Sequence, residues 1–233
     1  MTVRAVFFDA GETLVSPHPS FPELLATTLQ TEGFGHVTPE LVRDRVHVVA
    51  HVFDEATREG RLWSTSPKES RAFWATVYRT LLTELEVPFS EEMAATLYRT
   101  FTDVANYKLF DDAVPVLEKL RDAGLRLGLI SNFEEWLERL LEHLDVTRFF
   151  GTRVISGIEG LEKPDPAIFR LALERLGVAA AESVYVGDNV TFDVEPAEAV
   201  GMTGVLIDRR GRNEDFRGTR IASLDELPGV LGL

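Results

Sequence analysis

The sequence predicts a doubly wound α/β fold, a parallel sheet interrupted by an all-helical insertion, and three observations predict it. From about Tyr107 to the end, short apolar runs alternate with helical periodicities, the pattern of a parallel sheet with helices on its faces. The first apolar run, residues 3–8, is apolar except at Arg4 and lacks the in–out alternation of a half-exposed strand, so it reads as buried on both faces. Residues 16 to about 106 carry helical signals and no strand signal.

The first strand runs into Asp9, followed by Ala10-Gly11-Glu12-Thr13-Leu14. Pro17-His18-Pro19 is a stiff loop. Ser20 caps a predicted helix over 21–32, ended by Gly33 or Gly35. Thr38-Pro39-Glu40 opens a second helix to about Glu59, with apolar Leu41, Val42, Val46, Val49, Val52 and Phe53 at helical spacing. Ser66-Pro67 opens a third, closed by Pro88, and Ser90-Glu91-Glu92 a fourth. The insertion therefore spans 16–106.

Helix and strand then alternate. The spacing predicts helices over 112–123, 134–144, 164–176 and 194–200. It predicts strands over 125–130, 152–156, 183–186 and 203–207, then a charged loop over 209–220 and a short last helix from Leu224. Residues 1–15 with 107–233 form a Rossmann-like core. An insertion straight after the first strand is placed to cover a small substrate and exclude water.

Composition narrows the function. The 233 residues are 45% hydrophobic and 27% charged, with a net charge of −14, which argues against general nucleic-acid binding and against docking on anionic lipid. Cysteine is absent, which excludes disulfides, thiolate zinc sites and cysteine nucleophiles. No apolar run reaches transmembrane length and the N-terminus is not a signal peptide, so a cytoplasmic location is expected. An anionic small substrate stays compatible with the acidic chain, because a metal ion reverses the local field.

Four strand or loop ends carry chemistry: Asp9, then Ser131-Asn132, then Lys163, then Asp188 with Asp193. In an open α/β sheet these ends converge on one crevice. A carboxylate nucleophile, a hydroxyl, an ammonium and two further carboxylates suit phosphoryl transfer. Asp9 would attack phosphorus, Ser131 and Lys163 would neutralise phosphoryl oxygens, and Mg²⁺ would relieve the repulsion among the carboxylates. Each residue also has a plainer reading: Ser131 and Asn132 as caps of the next helix, Lys163 as an exposed lysine, Asp193 as a cap. His47 and His51, one helical turn apart, lack a third ligand and read as packing or surface residues. His18 reads as a solvated loop histidine.

Together these residues resemble the haloacid dehalogenase-like hydrolase superfamily, over nearly the whole chain. Asp9-Ala10-Gly11-Glu12-Thr13-Leu14 is similar to its first motif except at the second aspartate. Leu129-Ile130-Ser131-Asn132 is similar to the second, Lys163-Pro164 to the third, and Gly187-Asp188 with Asp193 to the fourth. The first motif looks most like the branch of domain-containing protein 3 and the rhythmically expressed gene 2 product, with a helical cap after that motif. The resemblance implies Mg²⁺ held by Asp9, Asp188 and the main-chain carbonyl of Gly11. It places Asp193 in a supporting role, and Ser131, Asn132 and Lys163 at the phosphate of a small phosphorylated substrate, while Thr13 is expected to support the site by holding the turn with a hydrogen bond.

Gly11 departs from the family's phosphatases, where a second aspartate protonates the leaving alcohol and then activates water. General acid–base catalysis is worth roughly 10²–10⁴-fold, so its loss matters. Glu12 is adjacent, but neighbours on an extended segment point to opposite sides. Three functions stand: a Mg²⁺-dependent phosphatase, a metal-independent haloacid dehalogenase, and a binding protein that has lost turnover.

Overall fold

Ala5, Val6, Phe7 and Phe8 have no exposed surface, and the strand they form, β1 (Ala5–Phe8), lies in the middle of a six-stranded sheet. The computed structural model describes residues 2–233. In chain order the other strands are β2 (Val15–Pro17), β3 (Tyr107–Leu109), β4 (Arg126–Ser131), β5 (Thr152–Ile155), β6 (Ser183–Gly187), β7 (Thr203–Ile207) and β8 (Thr219–Ile221). The large sheet has the order β5-β4-β1-β6-β7-β8 with every pair parallel. The chain winds from β1 toward β5, then resumes on the other side at β6. The direction therefore reverses between β1 and β6, where sheets of this kind form their ligand crevice. Phe8 is level with Leu129 of β4 and Val186 of β6, so the ends of three strands lie side by side.

The chain divides into two units, Met1–Ser16 with Leu109–Leu233, and Pro17–Lys108. The first is the sheet with its helices. On one face Phe7, Ile130, Val154, Phe169, Ala172 and Tyr185 share a core. The second unit is built on helices Phe21–Thr31, Pro39–Arg45, Ala50–Arg58, Pro67–Glu84 and Glu91–Phe101. Their starts are set chemically. Thr38, Ser66 and Ser90 accept hydrogen bonds from the backbone N–H groups of Leu41, Glu69 and Met93, the standard satisfaction of orphan donors at a helix start. Leu25, Leu29, Leu81, Leu82 and Leu97 form its core, and Phe53 packs edge-on against Trp63, Phe73 and Trp74.

Three elements differ from the sequence expectation. The long helix over 38–59 is broken into Pro39–Arg45, a 3₁₀ turn Val46–Val49 and Ala50–Arg58. Three β-branched valines in that turn disfavour a regular helix. The loop after Leu14 contains β2, which pairs with β3 in a two-stranded ribbon where the chain leaves and re-enters the sheet unit. The charged tail supplies β8, a three-residue edge strand whose exposed Thr219 and Arg220 hide it from a hydrophobicity reading.

Candidate active site

Asp9 follows β1 directly, and its N–H continues the sheet ladder by donating to the carbonyl of Val186 at 2.9 Å. Its carboxylate is buried. Both of its hydrogen bonds fall on Oδ1: the Ser131 hydroxyl donates at 2.9 Å and the Lys163 ammonium at 2.8 Å. Ser131 is the last residue of β4, so strand register alone brings it there.

Lys163 reaches Asp9 from a loop between Ser156–Glu159 and the helix Pro166–Leu176. Its main chain is clamped by Asn132. The Asn132 amide donates to the Lys163 carbonyl at 2.8 Å and accepts the Lys163 N–H at 2.7 Å. A planar side-chain amide carries donor and acceptor side by side and so mimics a peptide neighbour. The expectation set Asn132 at the substrate, but the structure turns its side chain onto the lysine loop. The Lys163 ammonium is buried and also meets Asp193 Oδ1 at 2.5 Å and the Tyr185 hydroxyl at 3.1 Å.

Asp188 follows β6. Gly187 before it is dictated by space, because a Cβ there would lie 2.3 Å from the Asp193 Cγ. Asp193 is buried and fully engaged: Oδ1 takes Lys163 and Tyr185, and Oδ2 accepts the Asn189 N–H at 3.0 Å. Carboxylate oxygens of Asp9, Asp188 and Asp193 all lie within 4.8 Å of one another.

One ammonium faces three carboxylates. Desolvation, helped by the charge of Asp193 and opposed by Lys163, raises the Asp9 carboxyl above the usual carboxylate range. Desolvation followed by repulsion from Asp193 and Asp9 pushes Asp188 well above that range. Burial works against the Lys163 charge, but Asp193 and Asp9 outweigh it and hold the ammonium above the usual lysine range. Such an excess of closely spaced carboxylate oxygen fits a hard divalent cation, which takes oxygen ligands and supplies the missing positive charge.

The turn after Asp9 is held by its backbone. Leu14 and Val15 N–H donate to the Ala10 carbonyl and Glu12 N–H to the Val15 carbonyl. These bonds use the carbonyls of Ala10 and Val15, not that of Gly11. The Thr13 hydroxyl, expected to hold this turn, is buried without a hydrogen-bond partner among the described residues, and the Thr13 carbonyl instead accepts Arg209 Nη2 at 2.8 Å. Gly11 is not required sterically. Its φ lies outside the left-handed region, and a Cβ would meet only Phe133 Cε2 at an ordinary 3.8 Å. Glu12 takes the left-handed conformation, φ 54°. The segment is therefore a turn, and the extended-strand argument about the direction of Glu12 fails. The Glu12 carboxylate pairs with Arg210 at 2.6 Å. It lines a cleft of about 420 Å³ with Asp188, Asn189, Asp208 and Arg212. His18, His47 and His51 are exposed residues of the helical unit.

Two features of the site have no counterpart in the sequence reading. Tyr185 is one, and its signal was a hydroxyl-bearing aromatic in the middle of an apolar strand, which needs a buried partner. Arg209 is the other. It holds the Thr13 carbonyl, pairs with both oxygens of Asp112 at 2.8 and 2.9 Å, and lies 3.8 Å from the Phe110 ring centroid.

The haloacid dehalogenase-like hydrolase family matches residues 3–201. The chain is 33% identical over 237 residues to haloacid dehalogenase-like hydrolase domain-containing protein 3 of Danio rerio, covering 98% of this chain and 96% of that protein. It is 35% identical over 208 residues to glyceraldehyde 3-phosphate phosphatase of Pyrococcus abyssi, covering 87% and 80%. Among solved structures, the L-2-haloacid dehalogenase RSc1362 superposes with a TM-score of 0.74 at 25% identity, over 100% of both chains. With a parallel sheet reversing at β1 and four motif positions gathered at its carboxyl edge, this chain belongs to the haloacid dehalogenase-like hydrolase family.

Proposed function

We propose that the protein is a Mg²⁺-dependent phosphatase of small phosphorylated metabolites, working through an aspartyl-phosphate on Asp9. The observation that carries this reading is the carboxylate excess. Three acidic side chains within 4.8 Å share a single ammonium, a balance that suits a bound cation and a phosphoryl group. Phosphatase-named relatives support the same class of substrate. Asp9, Asp188 and the Gly11 carbonyl would hold Mg²⁺, which when bound supplies positive charge to the phosphoryl oxygens. Asp193, with both oxygens engaged, would support from behind. A metal-independent dehalogenase would leave the same carboxylates uncompensated, at a cost in repulsion.

The residues divide the work as follows. Ser131 and Lys163 fix Asp9 through Oδ1, which leaves Oδ2 to attack. Oδ2 forms a bond to phosphorus as the ester P–O bond breaks, and the leaving oxygen departs with the bonding pair. By donating to Oδ1, Ser131 and Lys163 orient the Asp9 carboxylate and set the Lys163 charge beside the reacting centre, where such preorganised charge contributes most in this chemistry. Water then attacks phosphorus, the Asp9–phosphorus bond breaks, and inorganic phosphate and the free carboxylate return with release of a proton. Gly11 supplies no proton to the leaving oxygen, so the leaving group takes its proton from water.

The test is hydrolysis of p-nitrophenyl phosphate by the wild type and Asp9→Asn, each with Mg²⁺ and with EDTA. The expected result is Mg²⁺-dependent turnover by the wild type alone. Metal-independent chloride release from a 2-haloacid overturns the reading in favour of a dehalogenase, and inactivity on both substrates overturns it in favour of a binding role.

A further inference from the structure

We propose that Tyr185 is a positioning residue that fixes the Lys163 ammonium, a role that rests on the reading of Lys163 as the cation that orients Asp9 for attack. The argument starts from the donors of lysine. An ammonium has three N–H bonds on a flexible four-carbon stem. Those of Lys163 meet Asp9 Oδ1 at 2.8 Å, Asp193 Oδ1 at 2.5 Å and the Tyr185 hydroxyl at 3.1 Å. Two carboxylates alone leave the nitrogen free to swing about the axis that joins them. The third contact removes that freedom.

Tyr185 is itself held. It has no exposed surface, and its ring packs edge-on against Phe169 at 5.2 Å between centroids. Its hydroxyl accepts from Lys163 while its own proton has two acceptors at 3.0 Å, the Ile130 carbonyl and Asp193 Oδ1. Ile130 immediately precedes Ser131, so this one hydroxyl touches the lysine, the strand that delivers the serine and the aspartate behind the metal position. The clamp by Asn132 fixes the lysine main chain, whereas Tyr185 fixes the far end of the side chain.

The test compares Tyr185→Phe, which removes only the hydroxyl, with Phe169→Leu, which disturbs the packing of the same ring but keeps the hydroxyl. The readouts are kcat and KM on p-nitrophenyl phosphate with Mg²⁺, the unfolding midpoint, and the Nζ position in a crystal structure of each variant. Losing one hydrogen bond to a charged group is expected to lower kcat of Tyr185→Phe about five- to tenfold. KM is expected to change little and the unfolding midpoint to fall no further than in Phe169→Leu, with Nζ displaced or split between two positions. Phe169→Leu is expected to lower the midpoint while kcat and Nζ hold. An unmoved Nζ in Tyr185→Phe, or equal kcat losses in the two variants, overturns the proposal. If the wild type hydrolyses no phosphate ester, the phosphatase reading fails by itself, and the Nζ positions still decide the role of Tyr185.

Discussion

On the proposed phosphatase reading, Gly11 takes the place of a proton-transferring carboxylate, yet neither space nor conformation demands glycine there, since a Cβ meets only Phe133 Cε2 at 3.8 Å. Without that acid the enzyme should favour activated leaving groups. Turnover of p-nitrophenyl phosphate should exceed that of an alkyl phosphate such as glycerol phosphate, and comparable rates would show that another group supplies the proton. Gly11→Asp should raise alkyl-phosphate kcat by about tenfold or more, given that general acid catalysis is worth roughly 10²–10⁴-fold. Assay of both substrates with the one variant separates this from a general loss of folding. Asp9, Ser131 and Asp188 were legible in the sequence because each ends or follows a recognisable apolar strand, whereas Lys163 and Asp193 were legible only through their spacing in motifs that resemble the family's. The roles of Asn132 and Glu12 were not. Both depend on where a main chain turns, and a left-handed glutamate or a lysine carbonyl leaves no mark in residue type.

At the scale of the elements, the loop after β7 is tied to the first turn by Arg209, and Asp112, just before the helix Ala113–Asp122, is the hub of that tie. Its buried carboxylate accepts from Arg209, from the Ser223 hydroxyl at 2.8 Å and from the Leu224 N–H at 2.9 Å. Desolvation opposes ionisation there, but these donors outweigh it and hold the carboxyl below its usual range. A group depressed in the folded state adds stability that is present above its unfolded value of 3.8 and is lost as pH falls through the folded value. Asp112→Asn should therefore cost about 1–3 kcal/mol at pH 7, and the gap from wild type should shrink only below about pH 4. Urea titrations at pH 7 and near pH 3 check both the size and the sign; a gap that widens on acidification would contradict the assignment. None of this was visible in the sequence, because Arg209 and Asp112 lie 97 residues apart.

Across the whole molecule, the net charge of −14 sets the electrostatics. Surface ion pairs such as Arg45–Glu84 and Arg79–Glu91 contribute only about 0–1 kcal/mol each, and salt screens them together with the general repulsion. With a net charge of −14, repulsion among the excess acidic groups is expected to outweigh these pairs. Raising NaCl from low ionic strength should therefore raise the unfolding midpoint, and a lower midpoint would mean that the ion pairs dominate. No helix of the described residues is long and apolar enough to cross a membrane. The helical unit has its own leucine core and its own capped helices, so its elements form from local signals, save where Val46–Val49 interrupts the regular helix.

By itself the sequence determined the fold class, the position of most strands and helices, and the order of the four motifs that mark the family. Those features follow from hydrophobic period, caps and breakers, all of which act over a few residues. Only the tertiary structure decided that Lys163 bridges Asp9 and Asp193, that Tyr185 completes its partners, that Asn132 clamps its main chain, and that Arg209 anchors the turn after Asp9. The physical reason is the same in each case. These partners lie 22 to 196 residues apart, and strand register and loop paths bring them within hydrogen-bonding reach after the sheet is assembled.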